Sequence, residues 1–337
     1  MANYGSIITR APSGSDPLIP EPLAASIIQE APRASAALRL CRRGTMSTRT
    51  QRMPVLDMLP VSYWVGGDTG MKQTTLQAWK GVNLIVEELA TIVPIPENYI
   101  DDAQVPLWSE VQPRLVESAG FLIDSAVFWG LNKPSTWGPD LYSAAVQAGN
   151  VVKDGFTDFG GGTTVPAADF GQSITNLGDL MAQTGYTVNG MAGRPGLDWR
   201  MAGIRSSQGV PIFQADMTST PGDGSDVTSG RIYGRRASLV DNGSWDNTRA
   251  QLIVGDFSKA IIAIRRDISF KMFDQSVISN DSGQVILNLM QQDAVAMRMT
   301  MRLAYATVNP VTIMKPNATI DGAGSTTMRW PFGVLAS

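Results

Sequence analysis

The stretch from Thr50 to Val86 sets the tightest condition on how this chain can fold. Met53-Pro54-Val55-Leu56-Asp57-Met58-Leu59-Pro60-Val61-Ser62-Tyr63-Trp64-Val65 and Lys72 to Val86 are both extended in pattern, and Gly66-Gly67-Asp68-Thr69-Gly70 lies between them as a tip. Two β-rich arms around such a tip predict a long hairpin. Trp64, Met71 and Trp79 then sit on a ribbon too thin to bury them. A lone two-stranded ribbon is marginal in water, so this one needs a partner surface.

The residues on either side give an α+β reading. Residues 1 to about 22 are rich in Pro, Ser and Gly and predict an extended arm. Leu23 to Leu40 predicts a short helix interrupted at Pro32. After the strand exit Pro94-Ile95-Pro96, the residues Trp108, Val111, Leu115, Ala119, Leu122, Ile123, Ala126 and Val127 recur at helical spacing. They predict an amphipathic helix of about 20 residues, with Pro113 bringing a kink or a late start. Turn chemistry from Gly130 to Pro139 ends it.

The middle of the chain, 136 to 277, alternates short helical and strand-like pieces. Its loops are Phe159 to Thr164 and Thr220 to Asp226, and Asp241-Asn242-Gly243 predicts a hairpin turn. Gln251 to Phe257 and Ile268 to Phe273 are extended. From Val285 to Val308 the period is mixed: Gln291-Gln292-Asp293 fits a helix, while the alternation of Met297, Met299, Met301, Leu303 and Tyr305 favours a long strand from about Ala294. Thr319 to Thr327 reads as a loop between short strands, which either complete a domain or decorate the outside.

Composition then removes function classes. An apolar share of 43% over 337 residues fills a substantial core. The sequence contains no histidine, which excludes serine-histidine hydrolase chemistry and ordinary zinc sites. Cys41, the one cysteine, cannot form an intrachain disulfide, and no signal core follows Met1, so folding in a cytoplasm is expected. No apolar run is long enough to span a bilayer; Ala260 to Ile264 is closed off by Arg265 and Arg266.

The net charge of −3 argues against a generic DNA-coating protein. Arg10, Arg33, Arg39, Arg42, Arg43, Arg49 and Arg52 nevertheless outnumber the acids near the start. They make either a solvated arm or one lying near phosphate or an acidic partner. The glycine run at 160–162 lacks a following Gly-Lys-Ser/Thr and reads as a loop. The pairs Glu87-Glu88 and Asp101-Asp102 read as solvated faces or subunit contacts, and Cys41 as a small apolar contact.

Three local patterns carry a resemblance: Leu89-Ala90-Thr91-Ile92-Val93-Pro94-Ile95-Pro96 entering the long helix, Val254-Gly255-Asp256-Phe257 with Arg265-Arg266 downstream, and Met301-Arg302-Leu303-Ala304-Tyr305-Ala306 closing at Pro310. In this order the chain, over nearly all of 23–315, resembles the tailed-bacteriophage major capsid proteins of the Hong Kong 97 fold. The resemblance implies an N-terminal arm at 1–44 and an extended hairpin, the E-loop, at 45–84. It implies a peripheral P domain at 85–135 and 278–310 with its long helix at about 105–130, and a mixed α/β axial A domain at 136–277 and 311–337.

It further implies a structural subunit, not an enzyme and without cofactor, that self-assembles as hexamers and pentamers into an icosahedral head in the bacterial host. Trp64, Met71, Lys72, Trp79, Arg42 and Arg43 are the expected intersubunit contacts. Packaged double-stranded DNA held by non-specific contact, a portal protein and a separate scaffolding or decoration protein are the expected partners, with no membrane. Only about 45 residues precede the hairpin, so scaffolding comes from a separate protein or the arm suffices.

Some members of this family lock their shells by joining a hairpin lysine to an asparagine, with a glutamate as base. Here Lys72 lies beside the tip, but Asp293 and Thr300 stand at the matching positions and no Glu follows Glu117. A carboxylate lacks the amide leaving group and threonine is too weak a base, so a non-crosslinked shell is expected. The alternative of the same fold is an encapsulin-type nanocompartment shell around a cargo enzyme. A metabolic enzyme using Asp, Lys and Ser has no motif to support it.

Overall fold

The structure is a computed structural model that describes residues 35–60, 62–66, 70–75, 77–103, 106–153, 156–157, 165–166, 170–203, 229–280, 282–314 and 330–337. The arm before residue 35, the hairpin's very tip, the loops at 158–164 and 220–226 and the stretch 319–327 lie outside these residues. Of the helix expected over Leu23 to Leu40, the described part is Ala36–Leu40.

Two sheets share one long helix. The first runs in the order Arg42–Thr45, Ala260–Phe273, Ala294–Thr307, Glu87–Pro96. Its first pair is parallel and the others antiparallel. The strand Ala294–Thr307 begins where the alternation placed it. Gln291-Gln292-Asp293 forms turns, not a helix, with Asp293 at φ 44. Side chains alternate across a strand, and both faces of this one are used. Met297 and Met299 pack with Leu115 and Ala119 of the long helix. Ala304 and Ala306, from the opposite face, pack with Ala263 and with Met46, Leu84 and Val86 at the hairpin's root.

The long helix spans Leu107–Trp129 and contains Pro113, so it neither starts late nor breaks there. Its end follows the turn chemistry. Gly130 takes the left-handed conformation at φ 70, and the amides of Gly130 and Leu131 bond back to Ala126 O and Ser125 O. Its C-terminal half supplies Ile123, Ala126, Val127, Phe128 and Trp129 to the largest core cluster. There they meet Trp137, Leu141, Trp245, Phe257, Tyr305 and Phe332.

The second sheet has six strands in the order Val151–Lys153, Phe332–Ala336, Ala250–Gly255, Gly190–Gly193, Arg235–Leu239, Ser229–Ile232. The helix Phe170–Gln183 covers it through Ile174, Leu177 and Met181. The strand Phe332–Ala336 lies inside this sheet, antiparallel to Ala250–Gly255 and parallel to Val151–Lys153. The hairpin expected at Asp241-Asn242-Gly243 is absent from the pairing: Arg235–Leu239 and Ala250–Gly255 are separated by Gly190–Gly193, which pairs with both. The Asn-Gly pair still turns the chain, with Gly243 at φ 81. The Asn242 side chain, however, closes on Ser244 N at 3.1 Å instead of launching a paired strand.

The Val254-Gly255-Asp256-Phe257 pattern has a packing reason. At Gly255 a Cβ would collide with the carbonyl oxygen of Pro331 and the ring of Phe332. Asp256 Oδ1 then accepts from Ser258 N at 3.1 Å to cap a short 3-10 turn, and Phe257 sits edge-on to Phe332 with ring centroids 5.1 Å apart. Backbone cannot yield as a flexible side chain can. Gly255→Ala should therefore lose about 2–3 kcal/mol of stability, read as a lowered midpoint in thermal or urea unfolding.

Candidate functional site

Among the described residues, the hairpin leaves large apolar side chains unpartnered. Thr50–Met58 pairs antiparallel with Ala78–Ile85, from Thr50↔Ile85 to Met58↔Ala78. The ladder is shorter than the Lys72 to Val86 pattern suggests. It shifts register between Leu56 and Met58, and Pro60 just beyond has no N–H to offer. Past the ladder the arms run side by side without strand pairing, tied by Tyr63 Oη donating to Gln73 O at 2.7 Å.

Trp64 is 102% exposed, Met71 91% and Trp79 66%. Among the described residues nothing closes over Trp64 or Met71 and Trp79 is only partly covered, whereas Leu84 and Val86, at the other end of the same ribbon, are buried. Lys72 is exposed beside Met71. Arg42 and Arg43 are exposed on the strand Arg42–Thr45, and Arg43 Nε donates to Leu38 O at 2.8 Å. A second exposed apolar group, Val277, Val285, Ile286 and Met290, lies on and beside the small hairpin Val277–Ser279 with Val285–Asn288.

Titratable groups offer structure more readily than catalysis. Glu88 pairs with Arg302, its cross-strand neighbour, at 2.5 Å, and Glu87 Oε1 accepts from Thr136 Oγ1 at 2.7 Å. Asp101 and Asp102 are exposed at the end of a short helix. Among the described residues no group of three His, Cys, Asp or Glu side chains is gathered as a metal ion would need. Among them, too, no helix is long and apolar enough to cross a membrane. Cys41 is buried in the core beside the Ala36–Leu40 helix, and burial pushes its thiol well up from the usual value.

The residue that sequence reasoning passed over is Asp124. It is buried within the long helix and accepts from Ser35 Oγ (2.5 Å), Ala36 N (2.9 Å), Ala37 N (2.9 Å) and Asn242 Nδ2 (2.7 Å). One carboxylate thus joins the root of the N-terminal segment, the long helix and the 241–244 turn. Burial pushes the Asp124 carboxyl up from its ordinary value, while its hydrogen bonds pull the other way. The signal was present: an acid flanked by Ile123, Ala126 and Val127 lies on the helix's apolar face.

Comparison with known proteins agrees with this arrangement of two sheets, a long helix and an unpartnered hairpin. The sequence model of the phage capsid family matches residues 16–318. The chain belongs to that family. It is 24% identical over 289 residues to the major capsid protein of Staphylococcus phage 80alpha, covering 82% of this chain and 78% of that one.

Among solved structures, a chain of Microbacterium phage Oxtober96 superposes with a TM-score of 0.74 at 33% identity, covering 95% of this chain and 96% of the other. One of Mycobacterium phage Bobi reaches 0.77 at 28% identity, covering 97% and 98%. The protein is a major capsid protein of a tailed phage, located in the capsid shell of the virion. The nanocompartment alternative is not favoured by these matches.

Proposed function

We propose that the subunit builds its shell by laying the hairpin across a neighbouring copy, with Trp64, Met71, Lys72 and Trp79 as contacts and Arg42 and Arg43 meeting carboxylates that set register. The observation that carries this reading is the exposure of Trp64, Met71 and Trp79 on a ribbon whose own root is buried. Hexamers and pentamers are the capsomers, and a P domain and an A domain divide the subunit, with the strand Ala260–Phe273, inside the 136–277 range of the A domain, paired to Ala294–Thr307 of the P domain. Each obligate contact class in such a shell buries roughly 2,000 Å² or more, so several moderate interfaces act together and no catalytic centre is required. Packaged DNA lies inside, and a portal protein and a scaffolding or decoration protein complete the particle.

The test is size-exclusion chromatography and negative-stain electron microscopy of the protein expressed alone. Icosahedral particles or free hexamers and pentamers are expected. A compact monomer that stays inert when its scaffolding protein is co-expressed would overturn the reading.

The shell is held without isopeptide bonds. Lys72 is exposed, Asp293 occupies a left-handed turn, and Thr300 Oγ1 lies 3.0 Å from Ser269 Oγ. A carboxylate and a hydroxyl supply neither amide nor base. Assembled particles boiled in detergent should run as a single band at the subunit mass; a covalent ladder would refute this.

A further inference from the structure

The strand Glu87–Pro96 lies at the edge of the first sheet and is paired on one side only, with Ala294–Thr307. Glu97 N, just past its end, donates to Asp293 O at 2.8 Å. Backbone groups alternate sides along a strand, so the odd-numbered positions face Ala294–Thr307. The even-numbered ones, Glu88, Ala90, Ile92, Pro94 and Pro96, face away from it. Val86, the even position before them, donates its N–H to Arg49 O at 2.9 Å at the hairpin's root. Pro94 and Pro96 have no N–H, and proline at outward positions guards a sheet edge. Between the root and these prolines, Glu88, Ala90 and Ile92 are exposed, and among the described residues nothing pairs with their outward backbone groups.

We propose that this open edge at 88–92 receives segment 71–75 of a neighbouring copy's hairpin as an added strand, a reading that rests on the hairpin crossing a second subunit. From Met71 to Thr75 the chain is exposed, free of proline and outside any ladder. Gln73 gives its N–H and C=O to Tyr63 Oη, so in an extended chain those of Lys72 and Thr74 point the other way. Main-chain hydrogen bonds hold an added strand, and alternate side chains select it. Lys72 then shares a face with Glu88. Arg302 takes only Oε2 of Glu88, through Nε at 2.6 Å and Nη2 at 2.5 Å, which among the described residues leaves Oε1 open to an ammonium. Met71 falls on the opposite face, over a cavity of about 130 Å³ between the edge and the long helix, with Leu89, Leu122, Ile123, Ala126 and Trp137 in its wall. Trp137 Nε1 is buried there without a hydrogen-bond partner among the described residues. A flexible thioether fills a narrow space of this kind and packs favourably against an aromatic ring.

The experiment follows hydrogen exchange by mass spectrometry on the full chain, as unassembled subunit and as particles. The amides at 88–92 should exchange about tenfold more slowly or better in particles. Protection at 71–75 with none at 88–92 overturns this proposal alone, whereas no protection at either means that the hairpin reading fails as a whole. Ala90→Pro supplies the second measurement. It removes an outward N–H that the fold does not use, at a position equivalent to Pro94 and Pro96, so the unfolding midpoint should stay close to wild type while most particles are lost. Normal particles from Ala90→Pro overturn the proposal; if that variant fails to fold, the wild-type exchange decides. Met71→Asp should lose both particles and the protection at 88–92. Particles from Met71→Asp that keep this protection would assign the edge to another segment and overturn the proposal too.

Discussion

Trp79→Asp should yield a folded subunit that does not assemble. In its own chain Trp79 is 66% exposed and faces Leu56 across the hairpin. Surface substitutions of this kind usually change folding stability by no more than about 0.5 kcal/mol, so circular dichroism and the unfolding midpoint should stay close to wild type. In the shell the same side chain is proposed to be buried by a neighbour. There the substitution removes about 2–3 kcal/mol of apolar burial and adds a carboxylate that must be desolvated without a partner.

That loss recurs at every copy, so a moderate local change becomes a failure of the particle. Size-exclusion chromatography and negative-stain microscopy read the outcome, and Trp79→Phe, which keeps an aromatic surface, should restore much of the yield. Normal particles from Trp79→Asp would mean that the hairpin is not held by this residue.

The same hairpin illustrates what a sequence discloses about a shell protein. Alternation and Gly-rich punctuation are local signals, and they located the helix ending at Gly130 and the strand Ala294–Thr307 to within a few residues, while the paired part of the ribbon is several residues shorter on each arm than its pattern. The mismatch between apolar content and available cover is also local, and it pointed to an assembly surface before any packing was known. Pairing between distant segments is different. Asp241-Asn242-Gly243 has the composition of a hairpin turn, yet the strand Gly190–Gly193 inserts between its flanks. Likewise, Phe332–Ala336 near the chain's end takes an interior place in the six-stranded sheet.

What Asp124 binds, unlike its place on the helix's apolar face, was hidden for a related reason. Its partners are 87–89 residues earlier or 118 residues later in the chain, as Ser35, Ala36, Ala37 and Asn242. An isolated acid in a helical pattern carries no trace of them.

Asp124→Ala should be among the most destabilising single substitutions in the chain. It removes one acceptor group and strands four donors, the Ser35 hydroxyl, the Ala36 and Ala37 amides and the Asn242 amide, in a buried place. Breaking such a network costs about 3–5 kcal/mol, and the first element to loosen should be the helix Ala36–Leu40, whose leading amides lose their acceptor. Asp124→Asn keeps one acceptor oxygen but turns an N–H₂ toward donors, so its loss should be smaller without vanishing.

The pH dependence follows from the burial that pushes the Asp124 carboxyl up. The folded state then binds this proton more tightly than the unfolded state. The contribution is fully present below the ordinary carboxylate range and is lost as pH rises through the folded value. Asp124→Asn cannot titrate, so the stability gap between wild type and this variant should narrow as pH rises across that window, read by urea unfolding at a series of pH values. A gap that widens instead would mean that the four donors hold the anion more firmly than burial opposes it. The clamp would then strengthen, not slacken, toward neutral pH.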